Sequence, residues 1–246
     1  MFRAIGALIM AAVYLIVTLP YLGIVGLLRK KWPALGEKTS FRMVQAGFRM
    51  VKAPCGIRLD TCGLENIPKD RPVMFVGNHR SYFDVILTYP QLPPVTAFVA
   101  KSDFEKVPIL PIWMRRLHCE FLVKDDIRQN MQSIMGAIDS VKKGYSMFIF
   151  PEGMRNKGAD ERELLPFHEG SFKIATRTKC SIVPVAICGT RDIFENHFPK
   201  VKSGHVIIEY GRPIETKDLS REELKGIGGK VRDVVKDMVV RNHDKL

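Results

Sequence analysis

Apolar and polar residues recur along this chain with two periods, and the switch from one to the other repeats. Val73-Met74-Phe75-Val76 is an unbroken apolar run behind Pro72, rich in β-branched and aromatic residues, and predicts a buried strand ending at Gly77-Asn78. Ile57 to Thr61, Val95 to Ala100, Ser146 to Phe150 and Ser181 to Cys188 read as further strands, and His205 to Tyr210 as an edge strand. Between them the period lengthens. Ile127, Met131, Ile134, Met135, Ile138 and Val141 share one face of a helix that Gly144 ends. A helix from Tyr82 capped by Ser81, one leading from Gly170 to near Lys179, and a closing one over Asp218 to Arg241 continue the alternation. Asn156 to Glu163 is polar and reads as a mobile loop. Strands alternating with helices predict an α/β fold, a mostly parallel central sheet flanked by helices. In such sheets ligands bind beyond the carboxyl ends of the strands.

The N-terminal stretch departs from this pattern. Ala4 to Leu28 carries no charge and lies between Arg3 and the triplet Arg29-Lys30-Lys31. As one helix it would be ~37 Å long, enough to cross a hydrocarbon core of ~30 Å. No Ala-x-Ala-like site follows, which argues for retention rather than cleavage as a signal peptide. Pro20, Gly23 and Gly26 also allow the run to bend and dip into one leaflet. If it spans, the basic triplet puts the body of the protein on the cytoplasmic side. Farther on, Phe41, Met43, Val44, Gly47, Phe48, Met50 and Val51 fall on one half of a helical wheel and Arg42, Gln45, Arg49 and Lys52 on the other. Such a basic amphipathic helix suits a headgroup surface, or packs on a core with its arginines in water. The expected organisation is membrane-anchoring helices over residues 1–53 and an α/β domain over 54–246.

Composition narrows the partners. The 246 residues suffice for one sizeable domain with an appendage, and 46% hydrophobic with 26% charged residues excludes disorder. A net charge of +12 calls for a polyanionic partner. No zinc-finger spacing, RNP-type aromatic block or lysine-rich tail points to nucleic acid, so an anionic phospholipid membrane, phosphate-bearing substrates or an acidic carrier protein fit better. The cysteines, Cys55, Cys62, Cys119, Cys180 and Cys188, contain no Cys-x-x-Cys pair and are odd in number. They suggest neither zinc nor a disulfide framework, and hence a reducing compartment.

Candidate chemistry sits where two predicted strands break. The first break carries His79 and Asp84. On one continuous helix these would point about 140° apart, so they meet only if His79 lies in the turn before the helix. An imidazole held by a carboxylate on one nitrogen can take a proton from a hydroxyl with the other, and an alcohol substrate then needs no serine or cysteine nucleophile. The second break is Phe150-Pro151-Glu152-Gly153-Met154-Arg155. Arg155 can grip a phosphate bidentately, and Gly153 lets the backbone approach closely with a free amide.

In pairing, order and spacing, Asn78-His79 with Asp84 and Phe150 to Arg155 resemble the first and third blocks of the glycerolipid acyltransferases, the 1-acylglycerol-3-phosphate acyltransferase family. The likeness spans roughly Val73 to Val185. The family's second block falls on Lys101, Phe104, Pro111 and Lys124 with its spacing kept and three of four identities changed, and Met154 stands where threonine is usual. The resemblance implies His79 and Asp84 as catalytic residues and Lys101, Lys124, Glu152, Gly153 and Arg155 as substrate-binding ones, with Glu152 alternatively fixing its turn. It implies acyl transfer from acyl-CoA or acyl carrier protein to the 2-hydroxyl of a lysophospholipid acceptor, foremost lysophosphatidic acid. No metal and no cofactor beyond that co-substrate is implied. Another lysolipid acceptor, or a catalytically silent membrane-binding module, are the alternatives. The apolar stretch Ser102 to Leu117 could line an acyl groove, face the bilayer or pack in the core. Resemblance to family members with an N-terminal two-helix docking unit favours a membrane anchor.

Overall fold

Strands β1 (Ile57–Cys62), β2 (Val73–Gly77), β3 (Thr96–Lys101), β4 (Glu120–Leu122), β5 (Ser146–Ile149), β6 (Ser181–Cys188) and β7 (Gly204–Tyr210) form one sheet in the order β1-β7-β6-β2-β5-β3-β4. The computed structural model describes residues 2–246. Every neighbouring pair is parallel except β6 with β7. The central strands are buried throughout because both faces are covered. Alternate side chains therefore enter different cores: Val73 and Phe75 one, Met74 and Val76 the other.

Helices α6 (Ile127–Lys142), α7 (Lys173–Thr178) and α9 (Ile227–His243) cover one face. The opposite face carries α1 (Phe2–Val17), α3 (Pro33–Lys52) and α4 (Phe83–Thr88), with α5 (Leu110–Arg116) packed against α3. The expected closing helix is two: Ser220 and Glu223 form a reciprocal cap that starts α8 (Arg221–Lys225), and Gly226 separates it from α9.

Several expectations change. The strand at residues 204–210 is not an edge, because β1 pairs along its outer side. The edges are β1 and β4, and the three-residue β4 was not expected at all. The uncharged N-terminal run is two helices, α1 and α2 (Leu19–Lys31), bent by 49°. Thr18 at the junction turns its hydroxyl back onto the Tyr14 carbonyl at 2.8 Å, and Pro20 in the next turn has no N–H to donate. Among the described residues no single helix is long and apolar enough to cross a membrane, and the bent pair taken together meets that requirement by length and composition only.

The amphipathic helix has its apolar side on the domain, not free for a headgroup surface. Phe41 is fully buried with its ring 5.1 Å from that of Tyr89, and Phe48 lies 5.3 Å from the same ring. Gln45 donates to the carbonyls of Tyr89, Pro90 and Leu92. Ala4, Ala7 and Phe41 share one core cluster with β2, β6 and β7, so residues on both sides of position 53 build the same interior. What α1 and α2 leave uncovered is apolar: Phe2, Leu8, Ile9, Ile16, Val17 and Leu27 are exposed.

Candidate active site

The carboxyl ends of β2, β5 and β6 lie side by side, and the turns that leave them interlock. Asn78 continues β2 with its side chain, giving a hydrogen bond to the Ile187 carbonyl and taking one from the Ile187 amide, each 2.9 Å. His79 follows in the turn, before α4. The Ser81 hydroxyl accepts from the Phe83 amide at 3.0 Å and the Ser81 carbonyl from the Asp84 amide, which starts the helix one residue later than expected.

Asp84 is fully buried and both of its oxygens accept hydrogen bonds. Its Oδ2 lies 2.7 Å from His79 Nδ1 and accepts from the amides of Arg80 at 2.7 Å and Ser81 at 2.8 Å. Its Oδ1 accepts from the Thr190 hydroxyl at 2.6 Å. Against this carboxylate Nδ1 of His79 is the donor, which leaves Nε2 as the basic nitrogen. The imidazole stacks on Phe150, centroids 4.2 Å apart, and its side chain remains 19% exposed. Phe150 in turn rests on Phe148 and Phe98, which fix the floor under the ring.

The second break supports the first. Glu152 is buried and turned inward: one oxygen accepts from the His79 amide at 2.8 Å, the other from the Leu165 amide at 3.0 Å. Both oxygens are thus engaged within the fold, where they fix the turn. Burial pushes its carboxyl up, and the two amides oppose that shift. The Gly153 amide is not free either, because it donates to the Phe150 carbonyl at 3.1 Å. The residue is glycine since its φ is +69° and a Cβ would press on His168.

Glu152→Gln should oppose an amide N–H₂ to one of these two backbone donors. We expect a loss of ~1–3 kcal/mol in stability and, through displacement of His79, about a hundredfold in turnover. A folded glutamate pKa above its unfolded value adds stability at low pH that disappears as the pH rises through the folded value. The stability gap between wild type and variant should therefore narrow over that rise, which thermal unfolding at stepped pH would measure.

Arg155 precedes Asn156, whose amide donates to the His79 carbonyl at 2.7 Å. The Arg155 guanidinium carbon lies 3.8 Å from the centre of the Tyr82 ring, Nη2 donates to the Tyr82 hydroxyl at 3.2 Å, and Nη1 pairs with Glu195 at 3.1 Å. Lys101 ends β3, two strands from β2, exposed and without an ion-pair partner among the described residues. Lys124 lies just past β4, three strands away, its side chain 92% exposed and 4.0 Å from Asp125. The structure thus gathers His79, Asp84, Glu152, Gly153 and Arg155, leaves Lys101 at the rim, and does not bring Lys124 to them.

The loop expected to be mobile is tied down. The Asn156 amide donates to the His79 carbonyl at 2.7 Å; buried Arg80 donates to the carbonyls of Gly158 and Asp160, and Arg191 to those of Asn156 and Gly158. Glu161 accepts from the Gly189 amide at 2.8 Å. Sequence reading missed Thr190, Glu195, Arg80 and Arg191. Only Arg80 carried a signal, its place inside the first motif.

All the cysteines are free thiols, and burial pushes each of them up, Cys119 to about 12, so none stands ready as a thiolate. What remains is a carboxylate-held base to which, among the described residues, no side-chain nucleophile is hydrogen-bonded, on turns that also carry an arginine. That arrangement suits proton removal from an attacking substrate hydroxyl.

The acyltransferase family model matches residues 58–188, the stretch from β1 to the end of β6 that holds the site residues described above except Thr190, Arg191 and Glu195. The chain belongs to the acyltransferase family. Within it the relatives are more particular. The 1-acyl-sn-glycerol-3-phosphate acyltransferase of Borreliella burgdorferi is 29% identical over 198 residues, covering 80% of this chain and 78% of that protein. The one of Saccharomyces cerevisiae is 28% identical over 191 residues, 77% of this chain, and the match spans 62% of the yeast protein's length. The fold is that of the 1-acyl-sn-glycerophosphate (LPA) acyltransferase PlsC of Thermotoga maritima, with a TM-score of 0.81 at 27% identity over 98% of this chain and 94% of the other.

Proposed function

We propose that the chain transfers a fatty acyl group from a thioester donor, acyl-CoA or acyl carrier protein, to the sn-2 hydroxyl of lysophosphatidic acid, giving phosphatidic acid. The observation that carries this reading is the 2.7 Å contact of His79 Nδ1 with the buried, hydrogen-bonded carboxylate of Asp84, on a turn that the neighbour of Arg155, Asn156, ties to the His79 carbonyl. His79 Nε2 takes the hydroxyl proton while the oxygen attacks the thioester carbonyl. The C–O bond forms, the C–S bond breaks, and the proton passes from His79 to the departing thiolate. Asp84 stabilises the imidazolium formed in between. Arg155, with Lys101 at the rim, holds the phosphate and so brings the hydroxyl to the base. No metal or prosthetic group takes part.

The work is done at a bilayer surface. The exposed apolar residues of α1 and α2, followed by Arg29, Lys30 and Lys31, support this, and the basic triplet favours the cytoplasmic side. Because the apolar face of α3 is occupied, α1 and α2 carry the attachment. Leu8→Glu with Leu27→Glu should leave folding intact and weaken binding to anionic vesicles at least tenfold, each buried leucine being worth ~1.5–3 kcal/mol. Vesicle sedimentation measures it, and unchanged binding would remove α1 and α2 as the anchor.

The function itself is tested by incubating purified protein with lysophosphatidic acid and each donor, then locating the new acyl chain by mass spectrometry after position-specific hydrolysis. Acylation at the sn-2 position is expected. Acylation of a different lysolipid alone would move the proposal to that acceptor.

A further inference from the structure

We propose that Glu195 sets the headgroup preference of the site by cancelling the charge of Arg155. The inference rests on the reading of Arg155 as the grip for the acceptor phosphate. Glu195 comes from the loop after β6, on a short 3-10 turn over Glu195–His197. One of its oxygens, Oε1, does two things: it accepts from the Tyr82 amide at 3.0 Å and from Arg155 Nη1 at 3.1 Å. The other, Oε2, is buried and has no hydrogen-bond partner among the described residues. Arg155 is the one cation paired with this carboxylate among those residues. The side chains are only 17% and 32% exposed, so water screens the pair incompletely.

The consequence is electrostatic. A phosphomonoester headgroup carries about −1.5 to −2 charges at neutral pH, whereas a phosphodiester carries one. An unpaired arginine rewards the extra charge. An arginine already matched by a carboxylate rewards it much less, and the carboxylate repels the dianion more than the monoanion. Glu195 therefore narrows the advantage of lysophosphatidic acid over lysolipids whose phosphate bears a second ester. Its hold on Tyr82 and Arg155 also keeps the guanidinium stacked on the ring, so Glu195 acts on substrate through Arg155 and is a positioning residue.

Glu195→Gln separates charge from geometry, because an amide oxygen in place of Oε1 accepts both hydrogen bonds while the charge is gone. The readout is the ratio of kcat/KM for lysophosphatidic acid to that for lysophosphatidylglycerol, in the full-length protein on mixed micelles. We expect the ratio to rise about fivefold at low salt, with the rise shrinking as ionic strength increases. In an Arg155→Ala background the same substitution should raise the ratio by less, because only the direct repulsion between Glu195 and the phosphate is then relieved. Glu195→Ala, which removes the charge without the amide, should shift the ratio in the same direction and serves if the Gln protein is unstable. A ratio that stays constant or falls in both variants, or rises equally without Arg155, overturns the role of Glu195 and leaves acyl transfer standing. Wild-type protein that acylates neither lipid, or an Arg155→Ala protein with unaltered KM for both, overturns the reading of the site and this inference with it.

Discussion

His79→Ala should leave a folded protein whose kcat is lower by roughly 10³-fold. The fold survives because the buried carboxylate behind the ring is not orphaned: Arg80 and Ser81 amides and the Thr190 hydroxyl continue to hold Asp84. The stability lost is that of the ring's stacking on Phe150, ~1 kcal/mol. Turnover collapses because no other group near the acceptor hydroxyl takes its proton. Circular dichroism and thermal unfolding should resemble wild type while thiol release from the donor falls by that same factor. A fully active His79→Ala protein would remove the mechanism.

Asp84→Ala should behave differently, losing stability and activity together. The substitution strips the acceptor from two backbone amides, the Thr190 hydroxyl and His79 Nδ1 at a position with no solvent access. Unpaired buried donors cost ~1–3 kcal/mol each. Even at the low end the sum is a large part of the ~5–15 kcal/mol by which a domain is stable, and a fall in melting temperature of more than ten degrees is expected. Asp84→Asn is the informative companion. With its amide oxygen toward His79, Arg80 and Ser81, its N–H₂ meets the Thr190 hydroxyl, which can turn to accept. That protein should fold, yet without the negative charge opposite the imidazolium it should lose roughly 10²-fold in kcat. Equal stability of the alanine and asparagine proteins would show that Asp84 is not the structural anchor described above.

What the sequence revealed of this site was local. His79 and Asp84 are five residues apart, and the helical step of ~100° forces His79 out of the helix, which is where it lies, ahead of α4. The Pro151-Gly153 break was equally legible, and the neighbouring register of β2 and β5 brings the two together. Thr190 was beyond reach: it lies 106 residues from the carboxylate it serves, and a threonine after a strand has no distinguishing pattern. Glu195 was hidden for the same reason. The loop from Asn156 to Glu163 misled because its polarity reads as solvent exposure, whereas its carbonyls are claimed by Arg80 and Arg191. Backbone acceptors leave no trace in side-chain composition.

The fold shows the same division. Apolar runs marked the central strands, but the three residues of β4 are too few for a period to emerge. The apolar run Val206-Ile207-Ile208 marked β7 as a strand and said nothing of its two neighbours, so its interior place emerged only from pairing with β1. Amphipathicity in α3 required that one side be covered; Tyr89, brought in from the turn after α4, is what covers it.

The central claim is that His79 removes the proton from a lysolipid hydroxyl as that oxygen attacks the thioester. It is tested most directly by following thiol release and phosphatidic acid formation together, in wild type and in His79→Ala, with lysophosphatidic acid as acceptor. The account predicts one phosphatidic acid per thiol for wild type and, for the variant, both products formed roughly 10³-fold more slowly. Equal rates in the two proteins, or thiol released with no acylated lipid, would contradict it.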